Sequence, residues 1–185
     1  VKTMDYFEQK GWGKRVTTYH LRDWLISRQR YWGPPIPMIF CDSCKANVKG
    51  ERDDMPGWWT VRDDDLPVLL PRIEDYKPGN DGVAPLANHK EFYQTTCPGC
   101  DGKAVRETDV SDTFLDSSWY FLRYPSVNNV IPATEPGSSA WDPQITKKWL
   151  PVHMYTGGAE HSVLHLLYSR FITMALHDMG FIDFE

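Results

Sequence analysis

The chain has 185 residues, 41% of them hydrophobic and 14% aromatic, which is enough for one sizeable core or for one core with a small satellite. Its formal net charge of -5 argues against a protein that grips nucleic acid over its whole surface, because phosphate binding replaces counterions with lysine and arginine. No run of about eighteen apolar residues occurs, and the N-terminus lacks a signal-peptide pattern, so we expect a cytoplasmic protein with no membrane contact.

The first forty residues predict two helices and a strand. One helix covers residues 2–10 and ends at Gly11, and a second covers residues 20–29 with Leu21, Trp24 and Leu25 on one face. Three prolines within WGPPIP at 32–37 exclude a helix there. We expect a tight turn at this point, followed by an edge strand that ends at Phe40.

Residues 41–105 contain many prolines, glycines and aspartates but few large apolar side chains, so this region needs a crosslink or a metal to fold. The four cysteines lie in two pairs, CDSC at 41–44 and CPGC at 97–100. A spacing of two residues lets both thiolates of one turn reach one ion, and two such turns complete a tetrahedral site. The predicted ligands of a structural zinc ion are Cys41, Cys44, Cys97 and Cys100. A redox pair, disulfides, or His89 as a ligand are the alternatives.

The segment DTFLDSSWYFLRY at 112–124 predicts a strand over 113–115, followed by a helix that Asp116 or Ser117 caps and that ends before Pro125. Small hydroxyl side chains followed by Trp119 and Tyr120 suit the wall of an apolar pocket with a few polar groups. The alternative is that the serines only cap the helix and the aromatic residues belong to the core.

Two further helices are expected toward the C-terminus. Asp142 caps the first, with Pro143 at its first position, where a missing amide hydrogen loses no hydrogen bond. A strand over 152–155, a turn at the glycine pair 157–158 and a helix to about Met179 then follow.

This glycine turn carries the strongest chemical signal, because a strand, paired glycines and a helix N-terminus let a ligand approach the backbone closely. Glu160 suits the hydroxyls of a ribose. His161 and His165 are four residues apart and would share a helix face, with the helix dipole keeping His161 neutral. The alternative is that both histidines only pack against a sheet.

Three segments resemble leucyl-tRNA synthetases: RDWLISRQRYWGPPIP at 22–37, RETDVSDTFLDSSWYFLRY at 106–124 and LPVHMYTGGAEHSVLHLLYSRF at 150–171. The first is shared in outline with isoleucyl and valyl enzymes, whereas Asp-Ser-Ser-Trp-Tyr and Gly-Gly-x-Glu-His-x-x-x-His are typical of the leucine enzyme. An isoleucyl or valyl enzyme, which would normally have a Gly-x-Asp form, is one alternative. A non-catalytic, zinc-stapled binding module or sensor derived from a synthetase is the other.

The resemblance implies an α/β fold, with a partial Rossmann-type nucleotide-binding catalytic domain and an inserted small zinc-ribbon-like module. Residues 1–40 would be the part of the catalytic domain that follows the editing domain. Residues 41–105 would be the zinc-binding insert, although its link at 51–65 looks longer than usual. Residues 106–185 would be the Rossmann-type part that holds the leucine and adenylate pocket.

The resemblance also implies the reaction, in which leucine is activated with ATP and Mg²⁺ to leucyl-adenylate and then transferred to tRNA(Leu). The residues that would line the leucine pocket are Ser117, Tyr120, Tyr155, His161 and His165, and those that would hold adenosine and its ribose are Gly157, Gly158 and Glu160. The His-Ile-Gly-His and Lys-Met-Ser-Lys-Ser signatures of the family do not occur in this sequence. We therefore expect the isolated chain to be nearly inert without the remaining segments of the synthetase.

Overall fold

The computed structural model describes residues 2–20, 23–78, 82–128 and 139–184. The helices and strands of these residues follow one another as α1 Lys2–Gln9, β1 Ser27–Arg28, β2 Met38–Phe40, α2 Asp42–Ala46, β3 Trp58–Thr60, α3 Lys90–Tyr93, β4 Gln94–Thr96, β5 Lys103–Arg106, β6 Val110–Ser111, α4 Thr113–Ser117, α5 Tyr120–Arg123, α6 Pro143–Trp149 and α7 His165–Asp178.

The larger sheet has the strand order β3-β2-β5-β4, and all of its pairs are antiparallel. The strand β2 therefore lies between β3 and β5, and the expectation of an edge strand there was wrong. Its position is compatible with the preceding prolines because the last of them, Pro37, comes just before Met38. No ladder donor is lost inside the strand.

The smaller sheet pairs β1 with β6, again antiparallel, with Ser27 opposite Ser111 and Arg28 opposite Val110. A helix over 20–29 was expected here, and it is absent from the described part of that range, since Leu21 and Arg22 lie outside the described residues. Leu25 is 75% exposed, so the predicted apolar face does not form. Long-range pairing with residues 110–111 outweighs the local periodicity.

Two clusters of buried side chains stabilise the region between residues 31 and 110. The first surrounds the cysteines and includes Ile39, Val61 and Ala104, and the second contains Leu86, Phe92 and Val110. Val68 packs against both clusters. Val68 therefore connects the side chains packed around the cysteines to those packed around Val110 of β6.

Residues 113–115 were expected to form a strand, and they instead begin helix α4. The strand begins three residues earlier, as β6. Asp112 caps the helix by accepting a hydrogen bond from the backbone amide of Phe114 at 2.8 Å. The expected cap at Asp116 or Ser117 was thus wrong. A second helix, α5, ends at Arg123 and so before Pro125, as expected.

Helix α6 begins as the sequence predicts, because the Asp142 carboxylate accepts from the amides of Gln144 at 2.8 Å and Ile145 at 3.2 Å. The expected strand over 152–155 does not form, and these residues are exposed and lie outside the helices and strands. Helix α7 ends at Asp178 with Met179 as its C-cap, which agrees with the expected end near Met179.

The described residues contain no parallel pair of strands, so the Rossmann-type part of the expected architecture remains a prediction. The observed class is a mixed α/β arrangement. Among the same residues, no helix combines the length and the apolar character that crossing a bilayer requires.

Candidate functional site

The four cysteines converge on one point. The Sγ atoms of Cys41 and Cys100 lie 3.7 Å apart, as do those of Cys44 and Cys97, and all four lie within 4.8 Å of one another. Tetrahedral zinc with Zn–S bonds of about 2.3 Å separates its sulfur ligands by about 3.8 Å, whereas a disulfide needs about 2 Å. The donor set therefore fits a tetrahedral metal ion and is too widely spaced for disulfides.

Two tight turns supply these ligands. Helix α2 follows Cys41 directly and brings Cys44 back toward it, while the amide of Gly99 donates to the Cys97 thiol at 3.4 Å. The indole of Trp59 lies against Gly99 so closely that a Cβ there would be 2.2 Å from the ring. Any other residue at Gly99 would displace this cover, so the turn requires glycine for space.

The electrostatic environment of the thiols differs within the cluster. Burial raises the pKa of the Cys44 thiol to about 12. Burial acts in the same direction at Cys41, but hydrogen bonds from the Cys44 backbone and from the Cys97 and Cys100 thiols outweigh it and lower the pKa of Cys41. Cys41 therefore ionises before Cys44.

His89 was an alternative zinc ligand, and that expectation was wrong. Its Nε2 lies 2.9 Å from the Asp75 carboxylate and its Nδ1 lies 3.1 Å from the Glu91 carboxylate, so both ring nitrogens are engaged away from the cysteines. Burial acts to lower the pKa of His89, but the hydrogen bonds with Glu91 and Asp75 raise it overall.

A cavity of about 760 Å³ lies between helix α5, helix α7 and residues 151–155. It brings together three of the residues that the resemblance implicates. The ring centroid of His165 lies 4.8 Å from that of Tyr155 and 6.0 Å from that of Tyr120. Burial raises the pKa of the Tyr120 phenol, and the neighbouring Tyr155 adds to this effect.

One face of α7 presents polar groups to this cavity. His165, Ser169 and Thr173 all line it and are buried. The Ser169 hydroxyl lies 3.3 Å from Nδ1 of His165, and the Thr173 hydroxyl donates to the Ser169 carbonyl at 2.7 Å. Burial, followed by the neighbouring His161, lowers the pKa of His165. The cavity therefore favours a neutral imidazole.

Ser169 and Thr173 are cavity residues that the sequence did not predict. A signal was available, because these residues follow His165 at intervals of four and so continue its face of the helix.

The glycine pair packs closely against the residues around it. A Cβ at Gly157 would lie 3.2 Å from Tyr155 and 3.6 Å from His161, and one at Gly158 would lie 2.3 Å from the Glu160 carboxylate. Glycine thus leaves space for the Glu160 side chain to fold back over the backbone. The Glu160 carboxylate also lies 3.9 Å from Nε2 of His161.

Glu160 and His161 lie in the 3-10 turn Ala159–Ser162, and α7 begins only at His165. The expectation that one helix carries both histidines was therefore wrong, and so was the helix-dipole argument for a neutral His161. Their rings instead meet edge to face, with centroids 6.4 Å apart. The Nδ1 atom of His161 is buried without a hydrogen-bond partner among the described residues.

Ser117 does not line the cavity; its hydroxyl donates to the carbonyl of Phe114 at 3.4 Å. The helix that carries Ser117, α4, packs against α7, because Phe114 on α4 contacts Tyr168 on α7 with ring centroids 5.3 Å apart. The glycine pair, Glu160 and His161 also lie outside the cavity lining. The structure thus gathers Tyr120, Tyr155 and His165, with His161 adjacent to His165.

No family model matches the chain. A leucine–tRNA ligase of Dehalococcoides mccartyi is 52% identical over 183 residues, which are 99% of this chain and 20% of that protein. The leucine–tRNA ligase of Thermotoga maritima is 50% identical over 184 residues, 100% of this chain and 20% of that protein.

A solved structure of a LeuRS also matches almost the whole chain. The crystal structure of a ternary complex of Agrobacterium radiobacter LeuRS with tRNA and LeuAMS matches with a TM-score of 0.77 and 40% identity, over 99% of this chain and 21% of that one. The resemblance stated from the sequence is thereby confirmed, and the chain is homologous to one segment of these enzymes. It spans about one fifth of the length of the relatives that it matches.

Proposed function

We propose that this chain is part of a cytoplasmic leucine–tRNA ligase, which activates leucine with ATP and Mg²⁺ to leucyl-adenylate and transfers it to tRNA(Leu). The observation that carries the proposal is the 52% identity along 99% of the chain to a leucine–tRNA ligase. The segment would belong to a Rossmann-type catalytic domain that is interrupted by the zinc-binding insert at residues 41–105, called the cysteine module below.

The cavity supports a role in holding the leucine side chain. Tyr120, Tyr155 and His165 line it together with flat rings, and its volume of about 760 Å³ is ample for one amino acid. The lowered pKa of His165 keeps that ring uncharged, which suits an apolar ligand. Apolar pockets discriminate by only about 1 to 3 kcal/mol per methylene, so the rings would select mainly by shape.

The glycine segment is assigned to the adenylate end of the substrate. In this assignment Gly157 and Gly158 allow the nucleotide to approach the backbone, and Glu160 accepts hydrogen bonds from the ribose hydroxyls. The Glu160 carboxylate is exposed and so is free to reorient toward a ligand. His161 and Ser117 complete the proposed leucine side of the site.

The cysteine cluster is assigned a structural zinc ion. Four thiolates fill a tetrahedral coordination sphere and leave no position for water or substrate. Three of the four cysteines are buried in one of the two hydrophobic clusters. The metal would therefore act by holding residues 41–105 folded.

The remaining segments of the same enzyme are the expected partners of the exposed apolar surface. Helix α1 buries none of its residues, and on or just after α7 the side chains of Phe171, Met179 and Phe181 are 58%, 67% and 58% exposed. Such surface is typical of a segment that packs against further parts of one protein.

The pocket assignment is tested by His165→Ala in the complete enzyme that carries this segment. The variant removes a cavity wall, and we expect KM for leucine to rise about 10- to 100-fold, a loss of roughly 1.4 to 2.8 kcal/mol, while KM for ATP changes little. His177→Ala is the matched control, since His177 lies on the same helix but not in the cavity. Equal loss for leucine and ATP would place His165 elsewhere in the mechanism.

A further inference from the structure

Asp112 is a buried carboxylate, 5% exposed, that gathers donors from several segments. Its Oδ1 accepts from the Phe114 amide at 2.8 Å. Its Oδ2 accepts from the Arg28 guanidinium in an ion pair and from Nε1 of Trp24 at 3.4 Å. The backbone amide of Asp112 also donates to the Ile26 carbonyl at 2.8 Å. A buried charge is tolerated only when it is paired in this way.

The partners of Asp112 connect it to two helices, α4 and α7, of which α7 lines the cavity. Phe114 is the second residue of helix α4, which carries Ser117. Trp24 stacks on Tyr168 of α7, with ring centroids 4.0 Å apart and planes 17° apart. Tyr168 follows His165 by three residues and so lies about one helical turn from it.

The same side chain therefore performs two separable tasks. Through Oδ1 it caps α4, as Asp142 caps α6. Through Oδ2 it holds residues 24–28 against α4, and Trp24 in turn holds Tyr168. Among the described residues, the Asp142 carboxylate accepts only from amides of its own helix, which makes it a cap without the second task.

We propose that Asp112 is a positioning residue, whose Oδ2 contacts with Arg28 and Trp24 fix α7 relative to α4 and thereby the His165 side of the cavity relative to Ser117. The consequence for leucine recognition rests on the proposed function, whereas the mechanical link does not depend on it.

The substitution Asp112→Asn separates the two tasks. Asparagine is as good an N-cap as aspartate, so its oxygen can still accept from the Phe114 amide. Its NH₂ group then faces the Arg28 and Trp24 donors, and a donor cannot accept their hydrogen bonds. The variant keeps the cap and removes the link.

The measurement is amide hydrogen exchange followed by peptide-level mass spectrometry on the zinc-loaded chain. We expect amide exchange in residues 164–171 to accelerate about tenfold or more in Asp112→Asn. Exchange should change little in residues 113–117 and not at all in residues 41–61 of the cysteine module. Asp142→Asn, the matched control, should leave 164–171 unchanged. Unchanged exchange at 164–171 in Asp112→Asn, or equal acceleration over the whole chain, would overturn the proposal.

A kinetic readout in the complete enzyme separates this inference from the proposed function. We expect Asp112→Asn to raise KM for leucine several-fold and to leave KM for ATP nearly unchanged. A change in exchange without any effect on leucine would retain the mechanical link and contradict the leucine pocket. Equal changes in the KM values for leucine and ATP would contradict the proposal that Asp112 positions the leucine side of the site.

Discussion

His89 connects the linker at Asp75 to helix α3 at Glu91 through both of its ring nitrogens. From the sequence alone it was one histidine near four cysteines, and metal binding was a reasonable alternative. The two carboxylates that engage it lie 14 residues before it and two residues after it. The path of the chain between Asp75 and His89 brings the Asp75 carboxylate to the His89 ring, where it occupies the Nε2 atom that a metal would need.

The raised pKa of His89 predicts a pH dependence of stability. Because folding favours the protonated ring, its contribution is fully present below the ordinary pKa of 6.5 and is lost as the pH rises through the raised value in the folded chain. Urea unfolding of the zinc-loaded chain from pH 6 to pH 8 should therefore reveal a loss of stability that His89→Gln lacks. Parallel pH profiles for the two proteins would contradict the link.

We expect the cysteine module to depend on metal because its strands are short and its core is small. Two-residue spacing within each pair is a local property, so the sequence alone was enough to propose the four cysteines as metal ligands. The order β3-β2-β5-β4 was not predictable in the same way. It depends on the pairing of β2 with both β3 and β5, and β5 lies more than sixty residues later in the chain.

Metal removal should unfold this module. We expect elemental analysis to find one zinc ion per chain, and we expect a chelator to abolish exchange protection across β2 to β5. Cys44→Ser should lose the metal, whereas Ser43→Ala, in the same turn but outside the cluster, should retain it. A metal-free chain with undiminished protection would contradict the structural role.

The chain taken alone should be nearly inert. Adenylate formation needs positioned cations and dipoles around the reacting phosphates, and the two family signatures that supply them are absent from this sequence. We expect negligible leucine-dependent pyrophosphate exchange from the isolated chain and recovery when the remaining segments are joined to it. Robust turnover by the chain alone would refute the assignment as part of a larger enzyme.

Features that depend on neighbours in the chain could be predicted from the sequence. The cap at Asp142, the end of α7 near Met179 and the two-residue spacing within each cysteine pair all depend on a few neighbouring residues. Tyr120, Tyr155 and His165 could be selected because they stand in motifs that resemble a known family.

Features that depend on distant segments could not be predicted in this way. Residues 27–28 form a strand because they pair with 110–111. His161 lies in the 3-10 turn before α7, next to a glycine segment that packs against Tyr155. The second role of Asp112 could not be predicted either, because its partners Arg28 and Trp24 lie more than eighty residues earlier in the chain. Local patterns specify local hydrogen bonds, while the packing of segments far apart in the chain determines which of the competing local structures forms.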